Sequence, residues 1–211
     1  MEKKILVNYW NKFYGDKKKY KESSFARFIF NKTKNRKKLK IIDIGCGNGR
    51  DAVFFAKKKH DVIGIDISSK AIKTNNAVKI NKLKFLKFDI EKNKMKSQFD
   101  VVYCRFFLHT ISSKGEGKLL KLIKSITKKN SLVCLEFRNW QDKIFYIKKK
   151  IHNDIIEYEK GHYRRIINPK QFIKSFLKII KSEIIFYKSS RNLSIVKKDN
   201  PHLSRLIFKI K

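Results

Sequence analysis

Proline occurs twice and glycine eight times in 211 residues, and acids are outnumbered by bases 18 to 53. So little proline and glycine excludes a proline-rich or Gly/Ser-rich linker, and the chain reads as one domain. A chain of this length buries roughly 70 % of its unfolded surface, enough for a core without covalent staples. Cysteine is scarce and odd in number: Cys46, Cys104 and Cys134. No two form a C-x-x-C pair, which argues against a disulfide framework and a zinc site. Each lies in or beside an apolar run, as buried thiols in a reducing cytosol do. No apolar stretch reaches the length of a membrane span. The run Ile5-Leu6-Val7 is too short for the apolar region of a signal peptide. The expectation is a soluble, cytoplasmic protein with no membrane insertion; the residues leave the oligomeric state open.

The scarcity of acids gives a formal net charge of +35. It admits two readings. One is an electrostatic footprint for RNA, DNA or an anionic membrane surface. The other is compositional drift, since Lys, Asn and Ile are abundant throughout, as an A/T-rich genome produces. The runs Lys17–Lys19, Lys57–Lys59 and Lys148–Lys150 are scattered instead of gathered into a tail or stripe, which favours drift.

What is present centres on Lys40-Ile41-Ile42-Asp43-Ile44-Gly45-Cys46-Gly47-Asn48-Gly49-Arg50-Asp51. An apolar run ends in an acid, three alternating glycines follow, and a helix begins. A buried parallel strand passes to a helix this way, through a loop whose backbone can press against a ligand. The spacing is G-x-G-x-G, not the G-x-G-x-x-G of dinucleotide enzymes, and no Lys-Ser or Lys-Thr follows, which excludes a P-loop. Val62–Ser68 reads as a second strand ending in Asp66, Phe85–Ile90 as a third with Asp89 at its tip, Phe99–His109 as a fourth with the helix after it, and Leu132–Phe137 as a fifth. Helices are expected over 5–14, 24–33, about 50–59, after a Ser68 or Ser69 cap, and over 115–129, where Leu119, Leu120, Leu122, Ile123 and Ile126 recur at helical spacing. Residues 138–168 mix aromatics and charges without clear period. A helix near 169–178 and β-rich runs at 179–187 and 202–210 follow. Strands alternating with helices imply a parallel sheet with right-handed crossovers.

The four motifs between residues 40 and 137 resemble those of class I S-adenosylmethionine-dependent methyltransferases. The resemblance implies an α/β, single Rossmann-like domain. Its mostly parallel seven-stranded sheet would end in an antiparallel hairpin, with helices on both faces. Residues 1–36 would form a helical lid or cap and 37–211 the methyltransferase domain, with a substrate-side insertion at about 138–168. It also implies the cofactor, S-adenosylmethionine. Asp66 would then hold the ribose diol, Asp89 the adenine amino group and the Ile90 amide a ring nitrogen, with Ile67 beside them. Gly45, Cys46, Gly47, Asn48 and Gly49 would supply backbone contacts. Asp43 would organise the loop by accepting from its amides, or would accept from the cofactor's amino group. Arg50 would either pair with the methionyl carboxylate or stand solvated, and Arg105 would also lie against the cofactor. Arg105-Phe106-Phe107-Leu108-His109, Glu136-Phe137-Arg138 and Gly161–Arg165 are further similar to a bacterial subgroup modifying envelope glycans or small metabolites, and more distantly to tellurite-resistance-type methyltransferases.

On the acceptor side, Glu136 and Arg138 follow the fifth strand at the carboxyl edge, where α/β enzymes bind substrate. Arg164 and Arg165 lie in the irregular segment that could fold over that edge. Arginines suit a carboxylate or phosphate through their planar fork. His109, His162 and Tyr163 are candidates for general base, His109 equally for packing. Tyr9 and Trp10 are further substrate-side candidates; with Phe13 and Tyr14 they form either a lid over the cofactor or N-terminal packing. The function expected is methyl transfer to a small, anionic metabolite or glycan precursor. The alternatives are an RNA methyltransferase using the basic surface and a non-catalytic S-adenosylmethionine binder.

Overall fold

The computed structural model describes residues 3–14, 21–152, 154–195 and 199–211. The Lys17–Lys19 run, Met1 and Glu2 of the expected cap and Asn153 of the expected insertion lie outside them. Alternation along the strands sets the layers. In β1 (Lys40–Ile44), Ile42 and Ile44 enter one core and Ile41 the other. In β4 (Phe99–Arg105), Val102 and Cys104 oppose Val101 and Tyr103, and in β5 (Thr127–Arg138), Val133, Leu135 and Phe137 oppose Leu132 and Cys134. Period-two alternation with both faces apolar is the mark of a sheet covered on both sides. Helices α5 (Ser113–Ile126) and α7 (Pro169–Ile179) cover the first face. Helices α2 (Ser24–Thr33), α3 (Arg50–Lys57) and α4 (Ser69–Asn75) cover the second.

With β2 (Asp61–Asp66), β3 (Leu83–Lys87), β9 (Ser182–Ser190) and β10 (Leu203–Ile210), the sheet runs β3-β2-β1-β4-β5-β10-β9. β10 is antiparallel to both β5 and β9. This is the expected seven-stranded, mostly parallel sheet with a C-terminal antiparallel pair. The strand order reverses between β1 and β4, and that switch point opens a crevice at the carboxyl ends.

The sequence expectation missed in four places. The third strand, expected over Phe85–Ile90, runs Leu83–Lys87, which leaves Asp89 two residues past its end. Helix α5 stops at Ile126, because the Thr127 hydroxyl donates back to the Ile123 carbonyl and the Ser131 hydroxyl donates to the Phe99 carbonyl while accepting from the Lys128 amide. The last β-rich run but one begins at Ser182, since Ile180 still donates to the Phe176 carbonyl and packs in the core. Residues 138–168 are ordered as a short helix α6 (Ile144–Ile147) and an antiparallel sheet of β6 (Lys150–His152), β7 (Ile155–Glu159) and β8 (His162–Arg165). Strands of three to five residues carrying charges and aromatics on both faces leave no hydrophobic period to read; their own core is only Ile144, Phe145 and Ile156.

Helix α1 (Lys3–Phe13) bridges the crevice. Asn11 Oδ1 accepts from the Ser68 hydroxyl at 2.9 Å and the Lys70 amide at 3.3 Å, which ties α1 to the start of α4. The Tyr9 hydroxyl donates to Glu159 at 2.9 Å, which ties it to the end of β7.

Two buried acids join the layers. Asp51 accepts from the Ser23 amide (2.7 Å), the Ser23 hydroxyl (2.8 Å) and the Tyr103 hydroxyl (2.7 Å). It thereby fastens the start of α2 to α3 and β4, and Ser23 caps α2 by accepting from the Ala26 amide. Glu136, its side chain wholly buried, accepts from Arg105 Nε at 2.8 Å and Arg205 Nε at 2.6 Å. Arg205 continues to the Ser24 hydroxyl and the Leu193 carbonyl. Breaking a buried ion pair leaves charge without compensation and costs about 3–5 kcal/mol. Glu136→Ala strands two guanidinium groups, so denaturant unfolding should show a loss at the upper end of that range; a change under about 1 kcal/mol, the size of a surface pair, would contradict the assignment.

Candidate functional site

The glycine loop is a continuation of the sheet. The amides of Gly45 and Cys46 both donate to the Ile65 carbonyl, at 2.8 and 3.0 Å, and the Gly47 amide donates to Asp66 Oδ2 at 2.9 Å. The Gly49 amide turns back to the Cys46 carbonyl. Asp43 is therefore not the acceptor for these four amides, which corrects that part of the sequence reading. Its carboxyl is buried, and burial, with the nearby Asp51 and Asp66, pushes its pKa well above the ordinary carboxylate value. Burial also raises Asp66, opposed by the amides of Ser68 and Gly47. Burial first, then Asp66 and Asp43, raises the Cys46 thiol.

The loop glycines also make room for side chains of this chain. A Cβ on Gly47, whose φ is +52°, would lie 2.4 Å from the Tyr14 hydroxyl; one on Gly45 would lie 2.5 Å from the Phe107 ring, and one on Gly49 would lie 2.8 Å from Phe85. Asn75 Nδ2 donates to the Gly47 carbonyl at 2.8 Å and so holds the loop from α4. Tyr14 lies just beyond α1, its ring stacked on Trp10 with centroids 5.7 Å apart. Burial and Asp66 raise its hydroxyl pKa well above the usual phenol value.

Beside the loop lies a cavity of about 290 Å³. Its lining brings together Gly45, Asp66 and Ile67 from the end of β2 and the glycine loop, Phe88, Asp89 and Ile90 from beyond β3, and Leu6 and Trp10 of α1. The two strand-tip carboxylates thus share one apolar slot. The Asp66 oxygens already accept from Gly47 and Ser68, and each retains a lone pair for a ligand. Asp89 Oδ1 accepts from the Glu91 amide, a turn that fixes the carboxylate at the strand end. Asn48 Oδ1 accepts from the Arg50 amide, and Arg50 Nε lies 3.9 Å from Asp51. The cavity lining stops at Gly45, where Tyr14 covers Gly47.

The acceptor-side candidates divide. Arg105, Glu136, Arg138 and Arg165 hold the fold together instead of lining the cavity, which corrects their expected place. Arg105 is bound to Glu136 and the Ser194 hydroxyl, with its guanidinium 4.0 Å from the Phe106 ring centroid. Arg138 is buried and bonded to Asp142 and Asp199. Arg165 is bonded to Glu116 and the Ile111 carbonyl. Each of the three arginines is claimed by an acid of this chain, Glu136, Asp142 with Asp199, and Glu116, and sequence spacing does not show that. Alternation on β8 sends His162 and Arg164 to one face and Tyr163 to the other, so Tyr163 does not join His162.

His162 packs against Tyr9 (centroids 4.4 Å), Trp10 (4.9 Å) and Tyr158 (5.4 Å). Its pKa is lowered to about 3, by burial first and then by Arg164 and Arg138. His109 is buried behind the cavity wall, Nδ1 facing the Arg138 amide at 3.3 Å and Nε2 facing Arg164. Burial, Arg164 and Arg138 hold its pKa well below the usual imidazole value. Sequence reasoning missed Asn75, Phe85 and Phe107. An Asn near a helix end carries a weak signal as a cap; the two phenylalanines carry none.

No curated protein sequence matches the chain. Solved structures do. The glycopeptide N-methyltransferase MtfA complexed with S-adenosyl-L-homocysteine superposes with a TM-score of 0.70 at 11 % identity, covering 91 % of each chain. A SAM-dependent methyltransferase from Methanosarcina mazei gives 0.71 at 19 % identity over 86 % of this chain and 96 % of its own. A TehB-like SAM-dependent methyltransferase from Corynebacterium glutamicum gives 0.65 at 16 % identity over 89 % and 88 %. At such identities the likeness is one of fold. The family model for a methyltransferase domain matches residues 35–205, which takes in the glycine loop, both strand-tip acids, six of the seven strands of the main sheet and the start of β10, and the chain belongs to that methyltransferase family.

Proposed function

We propose that the chain transfers a methyl group from S-adenosylmethionine to a small acceptor, a metabolite or glycan precursor carrying a carboxylate or phosphate. The observation that carries this reading is the mostly apolar cavity whose lining includes both Asp66 and Asp89. A nucleoside needs that arrangement: a flat, weakly polar ring between aliphatic walls, a diol at one acid and an exocyclic amine at the other. Ile67, Phe88 and Ile90 are the walls. The Gly45–Gly49 backbone and Arg50 would face the amino-acid end, once Tyr14 moves aside. Bound cofactor supplies an activated methyl whose leaving thioether needs no proton.

The protein's own task is then alignment and exclusion of water. Trp10 and Leu6 over the cavity support this: α1, anchored at Asn11 and Tyr9, roofs the crevice. A roof of that kind suits a small acceptor better than an RNA helix, which needs an open basic groove. His109 and His162 are held neutral, and their lowered pKa values make each a weak proton acceptor; Tyr163 sits on the far face of β8.

Four measurements test the reading. S-adenosylhomocysteine at saturation should raise the melting temperature of the wild type. Asp66→Ala removes charged hydrogen bonds to the diol and the support of the Gly47 amide, and should weaken that ligand about 100-fold; an unchanged affinity would remove Asp66 from the site. Tyr14→Ala uncovers Gly47, so stopped-flow mixing read through Trp10 fluorescence should show severalfold faster association. Equal rates would mean that Tyr14 is no obstacle. Radiolabelled methyl transfer to small carboxylates and phosphates, with tRNA in parallel, decides the acceptor class: label on tRNA alone would replace the small-acceptor reading. Ligand binding without transfer to any acceptor would favour the non-catalytic alternative.

A further inference from the structure

We infer that Arg164, His162 and His109 form a subsite for one anionic group, a carboxylate or phosphate, of the acceptor; this locates the anion within the function proposed above and rests on it. The three side chains form a cluster rich in donors and poor in acceptors. Arg164 and His162 share a face of β8 and both lie against the Tyr158 ring, the guanidinium carbon 4.5 Å from its centroid. Among the described residues no carboxylate pairs with Arg164; its polar contact is His109 Nε2, at 2.5 Å. Arg164 Nε, both ring nitrogens of His162 and Arg138 Nε are buried without a hydrogen-bond partner. His162 is only 2 % exposed. Burying such groups unpaired is costly, and native structures leave few of them.

His109 sharpens the imbalance. A neutral imidazole has one acceptor nitrogen, yet the Arg138 amide faces Nδ1 and an Arg164 N–H faces Nε2. One of the two contacts therefore sets donor against donor. The acids close at hand, Asp142 and Asp199, are both bound to Arg138. What the cluster lacks is a partner made of lone pairs alone. A carboxylate or phosphate is such a partner: it can take the Arg164 fork together with an N–H from each imidazole.

The cluster adjoins the cavity. Trp10 both lines the cavity and has its ring against His162, and Thr110, next to His109 in the chain, lines it too. An acceptor anchored here by its anion would extend towards the slot under α1.

The test is a titration with inorganic phosphate and, separately, acetate, followed by thermal shift on the full chain holding S-adenosylhomocysteine. Ionic strength is kept constant with chloride, because a protein of +35 attracts any anion. Wild type should show saturable protection. Arg164→Met should weaken it about tenfold or more, while the exposed control Lys129→Gln should match wild type and S-adenosylhomocysteine affinity should stay unchanged in both. Protection no greater than chloride gives, or equal in Arg164→Met, overturns the subsite. Should Arg164→Met fail to fold, the imidazole carbon-bound proton resonances of wild type decide: phosphate should move those of His109 and His162, and no movement overturns the inference. The tighter of phosphate and acetate names the group. Loss of S-adenosylhomocysteine binding with phosphate protection intact would count against the methyl-transfer reading and not against the anion site.

Discussion

The hydrogen bond from the Gly47 amide to Asp66 is the constraint on which the crevice depends. With the Gly45 and Cys46 amides on the Ile65 carbonyl, it extends the β1–β2 pairing past the end of β1 and turns a loop into a rigid shelf. The same carboxylate that steadies the shelf faces the slot. Position and recognition are therefore one property of one side chain. The shelf can lie so close to β2 and β4 because Gly45, Gly47 and Gly49 leave the space that Phe107, Tyr14 and Phe85 fill.

Residues governed by local geometry were legible in the sequence. The β1 run, its three glycines and the acids at the tips of β2 and β3 follow from how a parallel strand meets a ligand, and they stand where that argument puts them. What could not be read was set by partners distant in the chain. Arg105, Arg138 and Arg165 look alike in sequence, at a strand end or in a segment beyond it; each is claimed by an acid, Glu136, Asp142 with Asp199, and Glu116. Arg164 differs by having none among the described residues, a distinction that exists only in three dimensions. The small sheet β6–β8 escaped notice because its strands are too short, and too mixed on both faces, to show a period.

The charge balance takes a different meaning beside the structure. Acids are few, and several of those that remain are buried and bonded: Asp51, Glu136 and Asp142 each join elements. The excess of base is spread over exposed lysines along the chain. The anion-seeking cluster around Arg164 is distinct from the general surface, since that cluster is buried and its neighbours are aromatic.

The ties made by Ser23 and Ser24 separate the first 36 residues into two parts of different kind. Helix α1 rests on the crevice through Asn11, Tyr9 and stacked rings. Helix α2 supplies Phe25, Ala26 and Ile29 to the core, and its first residues complete the bonding of Asp51, Tyr103 and Arg205. A truncated chain starting at residue 21 would keep every one of those partners. One starting at residue 37 would leave a buried carboxylate, a phenol and a guanidinium short of theirs and open the second core to water. The folding unit thus extends upstream of β1 to α2, and α1 alone has the character of a detachable cover.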